Sequence, residues 1–228
     1  TATPADAPRH LRLLGRGRNR PLAALVRHHR AIGLSEIAIT ARDRPGLLAT
    51  MAGVFAAHRI DIQHAEVFST PDDPALGWLA GRALDVFQLR GPEESTLAAP
   101  RWRAARRDLA RVLSGEESLD DLLARRLRAS TLPAKPLPSV PTRVVIDNDS
   151  ARAHSVVDVF TADRVGLLHT LSRTFFELGL SVDLARIATE GHRAADAFYV
   201  RTADGGRIQP ADAPRITAAL EAALARPE

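Results

Sequence analysis

Short stretches in which apolar residues alternate with small or polar ones are interleaved with longer stretches of helical period. Ile37 and Ile39, set between Ala38 and Thr40, read as a strand that begins near Ser35. Leu47, Leu48, Met51, Val54 and Phe55 then mark one face of a helix. Ile60, Ile62, Ala65, Val67 and Phe68 predict a second strand, broken by Pro71-Asp72-Asp73-Pro74. Trp78–Leu89 carries the returning strand, and Trp102–Leu113 is helical with Gly115 ending it. Ser118-Leu119-Asp120-Asp121 reads as a cap opening a short helix to about Ala129. Leu132–Pro141 holds four prolines in ten positions and reads as an extended tether. Arg143–Asp147 is a strand, and Asn148-Asp149-Ser150 a turn.

The pattern then returns. Val156, Val157, Val159 and Phe160 make a strand, and Leu167, Leu168, Leu171, Phe175 and Leu178 a helix stripe closed by Gly179. Val182–Thr189 and Ala195–Thr202 are strands joined through Glu190-Gly191-His192-Arg193, and Ile216–Leu224 is the final helix. The two passages share a turn. Asp43-Arg44-Pro45-Gly46-Leu47-Leu48 follows Glu36–Ala41, and Asp163-Arg164-Val165-Gly166-Leu167-Leu168 follows Ser155–Thr161. At that spacing Thr50 meets Thr170, Phe55 meets Phe175 and Ile62 meets Val182. The third strands, Leu84-Asp85-Val86-Phe87 and Ala195-Asp196-Ala197-Phe198, match once the longer hairpin loop of the first passage is allowed for.

Strand, helix, strand, strand, helix and a last strand beyond the tether give the first module a ferredoxin-like βαββαβ order. The expected class is therefore α+β, two tandem modules with antiparallel sheets. Residues 1–34 read as a linker from upstream domains, with Leu22–Val26 a short strand or a helical turn. Residues 35–148 form the first module, including the inserted helix and tether at 118–141, and residues 149–228 the second. The second lacks an evident fourth strand, so Leu22–Val26 or another chain is expected to cover its edge.

A strand that enters a helix through a glycine-bearing turn presents free backbone N–H groups to an anion, with the helix dipole assisting. A carboxylate would suit Gly46-Leu47 or Gly166-Leu167, and Asp43 or Asp163 just before could meet an ammonium group. An anion site beside a cation site is what an amino-acid zwitterion requires. The plainer alternative is that both aspartates cap their helices.

This β-turn-α signature, in βαββαβ order, resembles the ACT domain, a regulatory module that commonly binds amino acids at domain interfaces. The tandem copies, the long segment before the first module's last strand and the Arg143–Asn148 strand running into the second copy are similar to the C-terminal region of the bifunctional PII uridylyltransferase/uridylyl-removing family. The resemblance covers about Pro21 to the end. It implies that the pair senses L-glutamine and switches a parent enzyme between uridylylating and deuridylylating the PII protein. It carries ligand binding to Asp43, Arg44, Gly46 and Leu47, and to Asp163, Arg164, Gly166 and Leu167 in the second copy. Asp61, Gln63, Ser181 and Asp183 are weaker candidates, while Asp85 and Asp196 read as outward strand residues. The implied partners are the upstream catalytic domains, PII, and a second ACT module within or between chains. Mg and UTP belong to the parent's catalysis.

No catalytic residue is expected in this chain. It lacks the glycine-serine turn with paired aspartates of a nucleotidyltransferase and the histidine-aspartate cluster of a metal hydrolase. His28-His29 has no matching metal-site pattern, and Gly15-Arg16-Gly17 lacks the strand and helix of a dinucleotide loop. Cysteine is absent, which excludes disulfides and suits a cytoplasmic location. The chain carries no apolar run of membrane-spanning length, and no secretory leader is read at Thr1, taken as the start of a fragment or processed product. A net charge of +4 rests almost wholly on arginine, with Lys135 the only lysine. Clusters at Arg16–Arg20, Arg101–Arg107 and Arg125–Arg128 read as solvated faces. Two tryptophans and one tyrosine are too few for a base-stacking platform. The alternatives are a ligand-free dimerisation module, the ACT pair of another amino-acid-responsive regulator or a folate-dependent hydrolase, and an RNA-binding module.

Overall fold

The computed structural model of the chain describes residues 6–92, 95–128, 140–190 and 192–225. Its elements run α1 (Ala7–Gly17), β1 (Leu22–His29), β2 (Leu34–Arg42), α2 (Leu47–Ala57), β3 (Asp61–Ser69), β4 (Arg82–Arg90), α3 (Ala99–Ser114), α4 (Leu119–Arg128), β5 (Arg143–Asp147), β6 (Ser155–Ala162), α5 (Leu167–Glu177), β7 (Leu180–Arg186), β8 (Thr189–Glu190), β9 (Arg193–Thr202) and α6 (Ala213–Leu224). Two antiparallel sheets result, ordered β1-β2-β4-β3 and β5-β6-β9-β7, with β8 paired to β9. The class is α+β with two ferredoxin-like modules, as the alternation of periods predicts.

The fourth strand of each module enters from the opposite end to that expected. β5 does not close the first sheet. It pairs with β6, from Arg143 opposite Phe160 to Asp147 opposite Val156. The place expected for it beside β2 is taken by β1, from Leu22 opposite Ala41 to His29 opposite Leu34. Strands close in sequence pair most readily, because little chain entropy is lost. The Asp147 carboxylate tightens the β5–β6 turn by accepting from the Asp149 and Ser150 N–H groups at 2.6 and 3.1 Å. The second module therefore has its fourth strand, the modules divide before Arg143, and Leu22–Val26 protects the first sheet's edge instead of the second's.

The expected linker also contains a helix. α1 lays His10, Leu13, Leu14 and Gly17 along one face. Leu13 packs on Ala23, Ala38 and Val86, on the side of the first sheet away from α2. A Pro/Arg/Gly-rich stretch hides this face because only three turns are involved. Positions 132–139 of the expected tether, Ala129 and Gly191 lie outside the described residues.

One contiguous core joins the modules. It includes Phe55, Phe87, Leu109, Phe175, Phe198 and Leu220, drawn from both sheets and four helices. Phe55 meets Phe87 edge-on at 5.1 Å, and Phe175 lies 4.9 Å from Phe198 in the second copy. α2 packs against α5, and β3 lies beside β7. The helices approach closely at Gly53, where a Cβ would stand 2.8 Å from both His169 Nδ1 and Leu119 Cδ2. His169 Nδ1 donates to the Ala49 carbonyl at 3.0 Å, and His64 Nδ1 to that of Ile187 at 3.2 Å. Both bonds cross between modules.

α4 straps the helices. Ser118 accepts from the Asp121 N–H at 3.0 Å and donates to its carboxylate at 2.7 Å, the expected cap. Arg126 and His58 both bond the buried Asp108, at 3.0 and 2.9 Å. Burial alone would raise Asp108, but hydrogen bonds from Arg126 and His58 hold it below the ordinary carboxylate range.

Candidate functional site

Each repeated turn is shaped by its glycine. Gly46 and Gly166 adopt φ of 76° and 93°, a left-handed region that L side chains avoid. The N–H of Leu47 bonds back to Arg44 and that of Leu167 to Arg164, both at 3.1 Å. Among the described residues no side chain caps α2 or α5. Asp43 and Asp163 are therefore not caps, and the first-turn N–H groups beyond Leu47 and Leu167 remain suited to an anion.

The two turn arginines are held within their own modules. Arg44 donates to the Leu113 carbonyl at 3.1 Å, and Arg164 to that of Leu224 at 3.2 Å. Each cation thus meets the C-terminal end of its module's second helix, where exposed carbonyls and the dipole favour it. This contact fixes the turn against the helix layer.

A cleft opens where the second turn faces the first module. Asp163, Gly166 and Leu167 form one wall, Ala56 and Asp61 the other, and Asp196 part of the floor. Its free volume is about 10 Å³, room for about one water. An amino acid enters only if the modules part or side chains turn aside. The Gln63 amide donates to Asp61 at 2.6 Å, orienting that carboxylate.

The electrostatics of the cleft are dominated by acids. Burial raises Asp61, and the Asp163 charge raises it further, while Arg90 opposes. Asp163 is likewise raised by burial, against the Thr189 hydroxyl, the Arg164 N–H, Arg90 and His192. Asp196 is pushed up to about 7 by burial, with Asp163 adding and the Ala188 N–H relieving. An ammonium group among these carboxylates would favour their ionised forms. Among the described residues no group of three or more His, Cys, Asp or Glu is placed to hold a metal.

Asp85 and Asp196 correct the expectation of outward strand residues. They are 1% and 2% exposed. Period two places each on the face of Phe87 or Phe198, two positions on, and those phenylalanines are buried. The repeated D-x-F was the signal available. Asp85 is pushed up to about 8 by burial and then by the Asp43 charge. Both its oxygens lack a hydrogen-bond partner among the described residues, and the Phe68 N–H only partly offsets the rise.

The remaining candidates separate. Asp43 is exposed and Asp163 half-buried. Asp183 bonds Arg201 and, at 3.0 Å, His154. Ser181 is exposed. Arg90, which sits opposite Asp61 in the β3–β4 pairing, is the cation near the cleft that sequence reasoning missed.

Residues 35–93 match the ACT domain family. A bifunctional uridylyltransferase/uridylyl-removing enzyme from Rhodospirillum rubrum is 31% identical over 223 residues, covering 95% of this chain and 22% of the relative. One from Azospirillum brasilense is 34% identical over 201 residues, covering 86% of this chain and 20% of the relative. Among solved structures, aspartate kinase from Synechocystis aligns with a TM-score of 0.40 and 20% identity, over 83% of this chain and 26% of that chain. The chain spans about a fifth of the length of the curated relatives it matches. It is an ACT-domain protein, related over nearly its whole length to a part of the bifunctional uridylyltransferase/uridylyl-removing enzymes.

Proposed function

We propose that the chain is the amino-acid-sensing, regulatory part of an enzyme of the uridylyltransferase/uridylyl-removing type, with L-glutamine as effector. The observation that carries this reading is the cleft itself. A helix N-terminus without a cap and carboxylates from both modules meet across one interface. A zwitterion fits with its carboxylate on the N–H groups at Gly166–Leu168 and its ammonium among the acids. A side-chain carboxylate would add a negative charge to an acid-rich cleft, which favours glutamine over glutamate. Because the walls come from different modules, a bound ligand favours one arrangement of the pair and biases whatever the pair is attached to. In that parent the attached parts are the catalytic domains, which use Mg and UTP, the target is PII, and the setting is the cytoplasm. No helix among the described residues is long and apolar enough to cross a membrane.

Calorimetric titration with L-glutamine tests this, with L-glutamate and D-glutamine as controls. Stereospecific, saturable heat is expected. Silence from all three in a folded sample contradicts the reading. It would favour a second one, a ligand-free pairing module, to which the tight cleft and the shared core are also suited.

A further inference from the structure

Equivalent elements of the two modules meet, α2 with α5 and β3 with β7, so a cleft at the second turn should have a counterpart at the first. The 120-residue spacing that aligns Asp43 with Asp163 gives the positions to compare. Ala56 on α2 corresponds to Phe176 on α5, and Asp61 at the start of β3 corresponds to Ser181 at the start of β7. Ala56 and Asp61 lie on the wall that the first module offers to the second turn, and Phe176 lies against the first turn.

The first difference concerns space. Ala56 lines the cleft with Gly166. At the opposite turn the larger side chain fills that position. A Cβ built on Gly46 would stand 3.5 Å from Cγ and Cδ2 of Phe176, so the ring lies on the open face of the turn glycine. Phe176 remains 49% exposed. Nothing in the core requires a ring there, and the buried aromatic of α5 is its neighbour Phe175.

The second difference concerns charge. The second turn's Asp163 faces Asp61 closely enough for their charges to interact. The first turn's Asp43 has Ser181 as the counterpart of that carboxylate. The acid of β7 sits two residues later, at Asp183, where Arg201 and His154 engage it.

The third observation marks a ligand site without choosing between the turns, since Asp85, the counterpart coupled to Asp43, leaves both its oxygens without a partner among the described residues while Asp196 lines the cleft itself. Asp196 is 2% exposed and lines the cleft, and its Oδ1 accepts from the Ala188 N–H at 3.2 Å. Its Oδ2 has no hydrogen-bond partner among the described residues. A buried acceptor left without a donor is destabilising, more so if charged. A donor arriving with a ligand would satisfy it.

We infer that the pair is a one-site device: the second turn takes the ligand, Asp61, Asp163 and Asp196 receive its ammonium group, and Phe176 closes the first turn. The inference rests on the amino-acid reading above and decides between its two possible sites. Position 56/176 sets whether a turn is open, and position 61/181 whether it can hold a cation.

The test is calorimetric titration of the 228-residue chain with L-glutamine, with circular dichroism to confirm folding of each variant. Wild type is expected to bind one ligand per chain. Ala56→Phe, which copies the plug, should abolish saturable heat. Asp61→Asn, a smaller change, should weaken binding about tenfold or more. Phe176→Ala and Ser181→Ala should leave the original site within about twofold, and Phe176→Ala combined with Ser181→Asp should add a second, weaker binding event. Two ligands per wild-type chain overturn the inference. So does full affinity in Asp61→Asn, or loss of binding in Ser181→Ala. In those cases wild type still binds, and the amino-acid reading survives. Silence of folded wild type removes the reading and the site assignment together.

Discussion

The two modules share a skeleton and differ in what fills it. Ser35 accepts from the Leu97 N–H at 2.8 Å, and Ser155 from that of Ile208 at 2.9 Å, fixing the same loop in each copy. β3 and β7 bulge at equivalent positions, between Ile62 and His64 and between Val182 and Leu184. The turn arginines reach equivalent helix ends. All of these set backbone geometry. The differences, Ala56 against Phe176 and Asp61 against Ser181, gather where one module faces the other. α1 covers the outer face of the first sheet, a helix with no counterpart on the second among the described residues. Repetition preserves what holds a module together, and divergence has altered the walls between modules.

Emptying the shared core would show whether the modules are energetically separate. Phe87→Ala and Phe198→Ala empty equivalent positions in one continuous core. Each should lower stability by about 3–5 kcal/mol. Both should shift a single unfolding transition, measured by calorimetry. A variant that melts one module while leaving the other's transition in place would show that the shared core does not couple them.

A comparable loss of about 3 kcal/mol is expected from His58→Ala, which leaves the buried Asp108 with Arg126 but without its imidazole. This network has no counterpart in the second module, where Leu178 aligns with His58. The matching Leu178→Ala should therefore act through packing alone. Acid should shrink the first loss as Asp108 is protonated and leave the second untouched, which a denaturant series at neutral and low pH would show.

The twin buried acids give a smaller, pH-dependent contrast. The folded-state value of Asp85 is about 8 and that of Asp196 about 7, both above the ordinary carboxylate value. The native state keeps its proton where the unfolded chain has lost it. The stability they contribute is complete below about pH 4 and declines as pH rises toward the folded value. The decline should extend about one unit further for Asp85. Thermal midpoints across that range should fall less steeply in Asp85→Asn and Asp196→Asn than in wild type. An unchanged slope would mean that burial does not hold these carboxyls neutral. At the exposed end, Arg173→Ala, which breaks pairs to Asp120 and Glu177, should cost no more than about 0.5 kcal/mol.

Much of this was legible in the chain. The repeated turn, the change from period two to period 3.6 and the Ser118 cap each have a local physical cause. The fourth strands were harder. Arg143–Asp147 reads as a strand in either module, and pairing with β6 is a fact about chain proximity, not pattern. α1 was hidden because its apolar face is only Leu13 and Leu14 with His10. Asp85 and Asp196 show a legible signal set aside: the phenylalanine two residues on already fixed their face. Ala56 carried no chemical signal of its own. It acquires meaning only when α2 is laid against α5 and Phe176 appears in the equivalent place.

A ligand that enters at the second turn and not the first must leave the two turn glycines unequally perturbed. Amide resonances of Gly46 and Gly166, followed during titration of the chain with L-glutamine, test this most directly. Gly166 and the nearby Leu168 should shift with one saturable affinity while Gly46 and Leu48 stay in place. Equal shifts at both glycines, or a shift confined to Gly46, would contradict it.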